Sequence, residues 1–256
     1  MDTLIYPDWP APDNIKAIST TRIGGLSLPP YDGLNLAHHV GDNLDTVNKN
    51  RVYLNELADL PESPRWLNQI HETRVLDSHD WKLNIQADAM ISNSLNHICA
   101  VMTADCLPVL LCTKQGDTVA AIHAGWCGLA AGIIEKTIHK FSCTPQNIMV
   151  WLGPAIGASQ FEVGTDVYQL FTQNTPEAEQ AFTHNYPMAK QAFQQTGSPH
   201  YLANIYLLAK QHLNKLGITA IYGGDYCTVT DKKRFFSYRR DGITGRMASM
   251  IWIADK

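Results

Sequence analysis

The chain has 256 residues, 45% of them hydrophobic and 17% charged, with a formal net charge of −4. That composition supports a substantial core, and lysines and arginines scattered singly give none of the basic stripe that nucleic-acid or acidic-membrane binding requires. The N-terminal run MDTLIYPDWPAPDN lacks a basic segment followed by an apolar core, and Thr118 to Ile134 is too short and polar to span a bilayer, so neither signal peptide nor membrane helix is expected. Six cysteines without dense spacing or a CxxC pair argue against a disulfide framework and for a reducing cytoplasm.

In chain order, Lys16 to Arg22 alternates like a strand and runs into a glycine- and proline-rich loop, Gly24 to Gly33, with Arg22 at its mouth. A helix capped by Asp42 or Asn43 carries Leu44, Val47, Leu54 and Leu57 on one face and ends near Asp59, before Pro61. Trp66 to Val75 reads as an interrupted strand bearing Gln69 and His71, and Asp88 to Ser92 as a short one. Val101 to Ala104 and Pro108 to Thr113 read as buried strands separated by Asp105-Cys106-Leu107, and Thr118 to His123 as a third after a turn at Gln115-Gly116-Asp117. A helix is expected from Leu129 to Phe141, beginning near Gly128, then a strand at Ile148 to Gly153. Helices capped at Thr165 or Asp166 and at Thr175, a helix from Leu202 to Leu216 stopped by Gly217, and strands at 219–222, 226–229, 234–239 and 248–253 complete the chain. Strands and helices mix without regular βαβ alternation, so the expected fold class is α+β, in one domain over 1–256.

Three groups of metal-binding type fall at element ends: His71, Cys106 and His123, with 34 and 16 residues between them. A thiolate and two imidazoles form a good zinc set, and three protein ligands with a fourth position open is the catalytic pattern. The same residues admit two other readings. Cys106 can be a small core residue with the histidines satisfied by the backbone, or a metal-free nucleophile activated by His123 or His71. The helix start at Gly128, with Gly125 and Gly132, suits either an anion or tight packing. Phe235 to Arg246, aromatics and arginines around a glycine turn, suits a planar base or anion, or a hairpin with a solvated tip. Asp105, Glu162 and Asp88 are the acid–base candidates, and Arg22, Gln69 and Arg240 the substrate-binding candidates.

The segments TTRIGG, LNLAHHVGDN, NQIH, TADCLPVLLC, AAIHAGWCG, GPAIGASQFEVG and FFSYRRDGITGR occur in that order over nearly the whole chain. Together they resemble the YfiH-type family, known as laccase-like polyphenol oxidases and as purine nucleoside phosphorylases. The resemblance implies zinc at His71, Cys106 and His123, phosphorolysis of adenosine, inosine and methylthioadenosine, and deamination of adenosine by water activated at the open zinc position. It also implies, for some members, peptidoglycan-precursor editing, and a sandwich of mixed β-sheets flanked by helices, similar to a Cys/His toxin deamidase. Where the family usually reads HAGWRG, this chain has Cys127, which removes an arginine and adds a thiol near the site. Copper is the rival metal, because it outcompetes zinc at most nitrogen and sulfur ligands. The ten histidines are too scattered for a multicopper centre. A zinc-stapled binding protein is the non-enzymatic alternative. The expected partners are nucleosides and phosphate, and the expected state is a monomer.

Overall fold

A computed structural model describes residues 2–173, 175–184 and 197–255. The chain opens with β1 (Leu4–Ile5) and β2 (Ile15–Thr20), followed by the Gly24 to Gly33 loop. That loop turns back on itself through a Ser27–Gly33 bridge, and only glycine fits at position 33, where an added Cβ would lie 1.9 Å from the Arg22 carbonyl oxygen. Helix α1 (Leu44–Leu57) is capped by Asn43, whose side chain accepts the Thr46 amide, and of the four apolar positions expected on its core face it buries Val47 and Leu54 and leaves Leu44 and Leu57 at its ends exposed.

After β3 (Val75–Asp77) and β4 (Ala89–Ser92) come three strands in which every residue is buried: β5 (Cys99–Thr103), β6 (Leu107–Thr113) and β7 (Val119–Ala124). Helices α2 (Trp126–Ala130) and α3 (Ile133–Ile138) then precede β8 (Ile148–Leu152). Next come β9 (Glu162–Gly164), α4 (Thr165–Thr172), β10 (Phe182–Thr183), β11 (His200–Ala203) and α5 (Ile205–Lys215). The chain closes with β12 (Ile221–Gly223), α6 (Tyr238–Asp241) and β13 (Met247–Ile253).

The strands form an antiparallel sheet in the order β1-β2-β13-β5, a mixed sheet β12-β8-β6-β7-β4-β3, and a small antiparallel sheet β10-β11-β9. In the mixed sheet the outer pairs β12–β8 and β3–β4 are parallel. Alternation along β6 divides the core. Leu107, Val109 and Leu111 pack with Ile133, Ile138 and Leu208 of the helices, whereas Leu110 and Cys112 meet Val101 and Ile251 of the four-stranded sheet. Beyond that sheet, Leu54 of α1 packs with Ile18, Met250 and Trp252. The α+β class is as expected, with helices outside two facing sheets, but only the six-stranded sheet is mixed and the four-stranded one is wholly antiparallel.

Four element boundaries differ from expectation. Trp66 to Ile70 is not a strand: Gln69 instead uses both ends of its side-chain amide, donating to the Met102 carbonyl (2.8 Å) and accepting the Met102 amide (2.7 Å). The expected helix 129–141 starts earlier, at Trp126, and breaks at Gly132, which is left-handed at φ 85°. Leu202 and Ala203 belong to β11, and α5 begins only where the Asn204 side chain accepts the Leu207 amide. Residues 226–229 and 234–239 form turns and α6 rather than strands. Phe235 and Phe236 are adjacent, both fully buried, and pack into one cluster with Ala104 and Met247, and Ser237 caps α6 by accepting the Arg240 amide. Among the described residues, no helix is long and apolar enough to cross a membrane.

Candidate metal centre

The fold brings together three of the sequence candidates. Cys106 leaves the turn between β5 and β6, His123 lies near the end of β7, and His71 sits in the loop pinned by Gln69. Backbone geometry makes this possible: Asp105 is left-handed at φ 91° and His71 at φ 61°, values that non-glycine residues adopt only when surrounding contacts impose them. The Asp105 turn presents Cys106 toward the two imidazoles.

Asp88 is the residue that holds the arrangement. Its carboxylate, fully buried just before β4, accepts the amides of Ile70 (3.2 Å), His71 (2.9 Å) and Glu72 (2.9 Å), and Nδ1–H of His123 (2.8 Å). Its carbonyl also accepts the His123 amide, at 2.7 Å. His123 is thereby fixed in ring orientation with Nε2 directed away from Asp88, the carboxylate–histidine arrangement common behind metal ligands. Burial works against ionisation of Asp88, but the hydrogen bonds from His123 and from the loop amides outweigh it and hold its carboxyl below the usual range. A carboxylate committed to four donors is a poor general base.

The ligand atoms of His71, Cys106 and His123 lie within 4.8 Å of one another, with Cys106 Sγ 3.9 Å from His71 Nε2. A tetrahedral ion with bonds of about 2.1 Å to nitrogen and 2.3 Å to sulfur needs its donors roughly 3.5 Å apart, so the set fits a metal of zinc type. Gly125 supports the fit: a Cβ there would lie 3.1 Å from His71 Cδ2, 3.2 Å from Cys106 Sγ and 3.8 Å from His123 Cε1, so the absence of a side chain keeps space between the three ligands. Burial disfavours the Cys106 thiolate, yet the charge and hydrogen bond of His123, joined by those of His71, bring the thiol below its ordinary pKa. Burial likewise opposes protonation of His123, and the Cys106 charge and Asp88 hydrogen bond raise it. The pair is poised as thiolate and imidazolium, which a metal cation would replace with thiolate and neutral imidazole.

His71 and Cys106 border a cavity of about 330 Å³ whose other walls include Asp105, Trp126, Ile156, Phe161, Tyr238 and Arg239. Asp105 faces it as the turn predicts, but its carboxylate accepts from Thr228 Oγ1 (2.5 Å), Ser237 Oγ (3.0 Å) and the Arg239 amide (2.7 Å), tying α6 to the site. Arg239 stands over the Phe161 ring at 5.7 Å and donates through Nη1 to the carbonyls of Gln160 and Glu162.

The other candidates are engaged elsewhere. Arg22 pairs with Asp32 at 2.9 Å and stacks on Phe236, clamping the glycine loop to the C-terminal segment. Arg240 donates to the carbonyls of Thr228, Val229 and Phe235 and pairs with Asp241. Glu162 accepts from His200 at 2.9 Å. Gly128 lies inside α2 with the Glu72 carbonyl oxygen 2.9 Å from where its Cβ would stand, so it serves close packing. Tyr238 and Arg239 come from the Phe235 to Arg246 segment that the sequence marked for a planar base or anion, whereas Trp126 and Phe161 were missed as cavity walls, their only advance signal being aromatic character beside glycine turns.

Residues 16–254 match the family described as multi-copper polyphenol oxidoreductase laccase. The chain belongs to this laccase-like, YfiH-type family. It is 49% identical over 254 residues to the purine nucleoside phosphorylase YfiH of Escherichia coli strain K12, covering 99% of this chain and all of that one. A purine nucleoside phosphorylase of Pseudomonas aeruginosa is 43% identical over the full length of both chains. The crystal structure of the Neisseria meningitidis protein NMB0706 superposes with a TM-score of 0.91 at 45% identity, covering 99% of this chain and 100% of that one. Cys127 is a half-buried thiol on α2 whose pKa is raised by burial and by the Cys106 charge.

Proposed function

We propose that this chain is a metal-dependent purine nucleoside enzyme that carries out phosphorolysis of adenosine, inosine and methylthioadenosine and deamination of adenosine at one site. The observation that carries the reading is the three-residue set His71, Cys106 and His123, of which His71 and Cys106 line a cavity walled by Trp126, Phe161 and Tyr238. The names of the full-length relatives support the substrate class. Zinc is the preferred ion, and copper the alternative that the family description and the donor set allow. When bound, the ion supplies Lewis-acid polarisation.

The chain's own residues do the rest. Trp126, Phe161 and Tyr238 offer ring faces on which a purine stacks and water is excluded from its plane. Arg239 supplies positive charge at the cavity wall, and Asp105 acts as a positioning residue by fixing the Arg239 amide and the Ser237 cap. Gln69 and Asp88 position His71, while Arg22 and Arg240 hold the flanking loops in shape. In phosphorolysis a phosphate oxygen bonds to C1′ as the C1′–N9 bond breaks, and the proton of hydrogen phosphate passes to the purine. In deamination water adds at C6 and ammonia leaves. We read the chain as one domain working as a cytoplasmic monomer on small molecules, which its six free cysteines support.

The test is adenosine incubated with anaerobically purified protein, with and without phosphate, following adenine and inosine separately beside Cys106→Ala. The reading expects adenine only with phosphate, inosine in both conditions, and neither from the variant. Absence of both products from the native protein contradicts it.

A second reading has its own observation. Cys106, His123 and Asp88 also line up as a metal-free nucleophile, base and orienting carboxylate, like a Cys/His toxin deamidase or a hydrolase editing peptidoglycan precursors. Activity that survives complete metal removal favours it.

A further inference from the structure

Beside the metal centre lie two hydrogen-bond donors outside the ligand set, the Arg246 guanidinium and the His39 imidazole. Arg246 immediately precedes β13, whose first residue, Met247, pairs with Thr103 at the end of β5, so Arg246 stands at the strand end from which Cys106 departs. Its guanidinium lies 5.8 Å from the centre of the Tyr238 ring, a wall of the cavity. Nη1 donates to the carbonyls of Thr244 (2.9 Å) and Gly245 (3.1 Å), while Nε and Nη2 have no hydrogen-bond partner among the described residues. No carboxylate forms an ion pair with Arg246 among the described residues. A half-buried arginine that keeps part of its fork of donors unpaired is a seat for an oxyanion.

His39 is the other donor. The loop that carries it is docked on Arg246 through two bonds: the Leu36 amide donates to the Arg246 carbonyl, and the Arg246 amide donates to Asn35 Oδ1. The imidazole makes no hydrogen bond among the described residues, and burial, joined by the charges of Arg246, Arg51, His38 and His71, lowers its pKa, so its contribution is an N–H donor rather than a charge. Arg51 is spent on the Leu36 carbonyl and the Trp66 ring, which leaves Arg246 and His39 as the available donors.

We propose that Arg246 and His39 bind the inorganic phosphate co-substrate, on the Tyr238 side of the cavity. The assignment rests on the phosphorolysis reading above and names its anion site. Phosphate held there by the Arg246 fork presents an oxygen to C1′ of a nucleoside stacked in the cavity, and its departing proton ends on the purine.

The experiment pairs two measurements on zinc-loaded protein: the dependence of adenine release on phosphate concentration, and calorimetric binding of inorganic phosphate alone. Arg246→Met, Arg246→Lys and His39→Ala are compared with the native chain, with zinc content and circular dichroism as controls. Loss of a charge-assisted hydrogen bond predicts that the KM for phosphate and the Kd for phosphate rise about tenfold or more in Arg246→Met and by less in the other two. The KM for adenosine and the zinc content stay within about twofold. Should Arg246→Met fail to fold, Arg246→Lys and His39→Ala carry the same comparison. Unchanged phosphate constants in folded, zinc-replete variants overturn the assignment. If the native chain releases no adenine, the phosphorolysis reading fails and calorimetry still decides the anion site: weaker phosphate binding in the variants upholds it, and equal or absent binding removes it.

Discussion

Asp88 shows how much of this site depends on one carboxylate that touches no substrate. Four hydrogen bonds converge on it, three from the loop that carries His71 and one from His123, so it sets the position of two ligands at once. Asp88→Asn keeps the size but puts a donor where acceptors are needed. We expect metal affinity to fall about 10- to 100-fold, the range for residues that orient ligands, measured by competition against a chelator. Gly125→Ala tests the space between the ligands: its Cβ would stand 3.1 Å from His71 and 3.2 Å from Cys106, so metal content should drop sharply while far-UV circular dichroism stays native. At this scale the candidate residues were legible by type, a thiol and two imidazoles near element ends, although the same residues also suit a metal-free nucleophile or satisfied core positions. The role of Asp88 was not. Its residue type suggests a base, and only the long-range contacts to 70–72 and 123 reveal that its acceptor sites are taken.

Among the elements, α3 and α5 are joined by Glu135 and His212, 2.5 Å apart. Burial raises the Glu135 pKa, but the hydrogen bond and charge of His212 prevail and hold it below 4.5. A carboxyl depressed on folding adds stability that is present above its unfolded pKa and is lost as pH falls through the folded one. Thermal melts should therefore lose stability on acidification below about pH 4.5, and Glu135→Gln should flatten that part of the profile. Ser237 links element to site, because its hydroxyl accepts the Arg240 amide and donates to Asp105. Ser237→Ala should cost about 1 kcal/mol in chemical denaturation and reduce turnover by loosening Tyr238 and Arg239. The buried strands β6 and β7 were legible as apolar runs, and α1 from its cap and spacing. Trp66 to Ile70 and 234–239 were misread because tertiary hydrogen bonds from Gln69 and the burial of Phe235 beside Phe236 override their local strand-like pattern.

Over the whole molecule, the mixed sheet is covered on one face by helices and on the other by the four-stranded sheet, so β6 lies at the centre with both faces packed. Leu110→Ala opens a void there and should cost 2–5 kcal/mol, on the order of half of a typical domain's net stability. The ligands join three parts of the chain distant in sequence: the 69–72 loop, the β5–β6 turn and the end of β7. A metal held by these three residues would stabilise the folded state as any ligand selective for it does, and on the proposed reading a chelator should lower the melting temperature of the native chain but not of Cys106→Ala. The measurement that bears most directly on the metal-dependent nucleoside enzyme is adenine release, in the presence of phosphate, from protein stripped of metal and titrated with zinc. We predict no release at zero zinc, a linear rise that saturates at one ion per chain, and no response in Cys106→Ala. Full activity in the stripped protein would contradict the account and leave Cys106 and His123 as a metal-free catalytic pair.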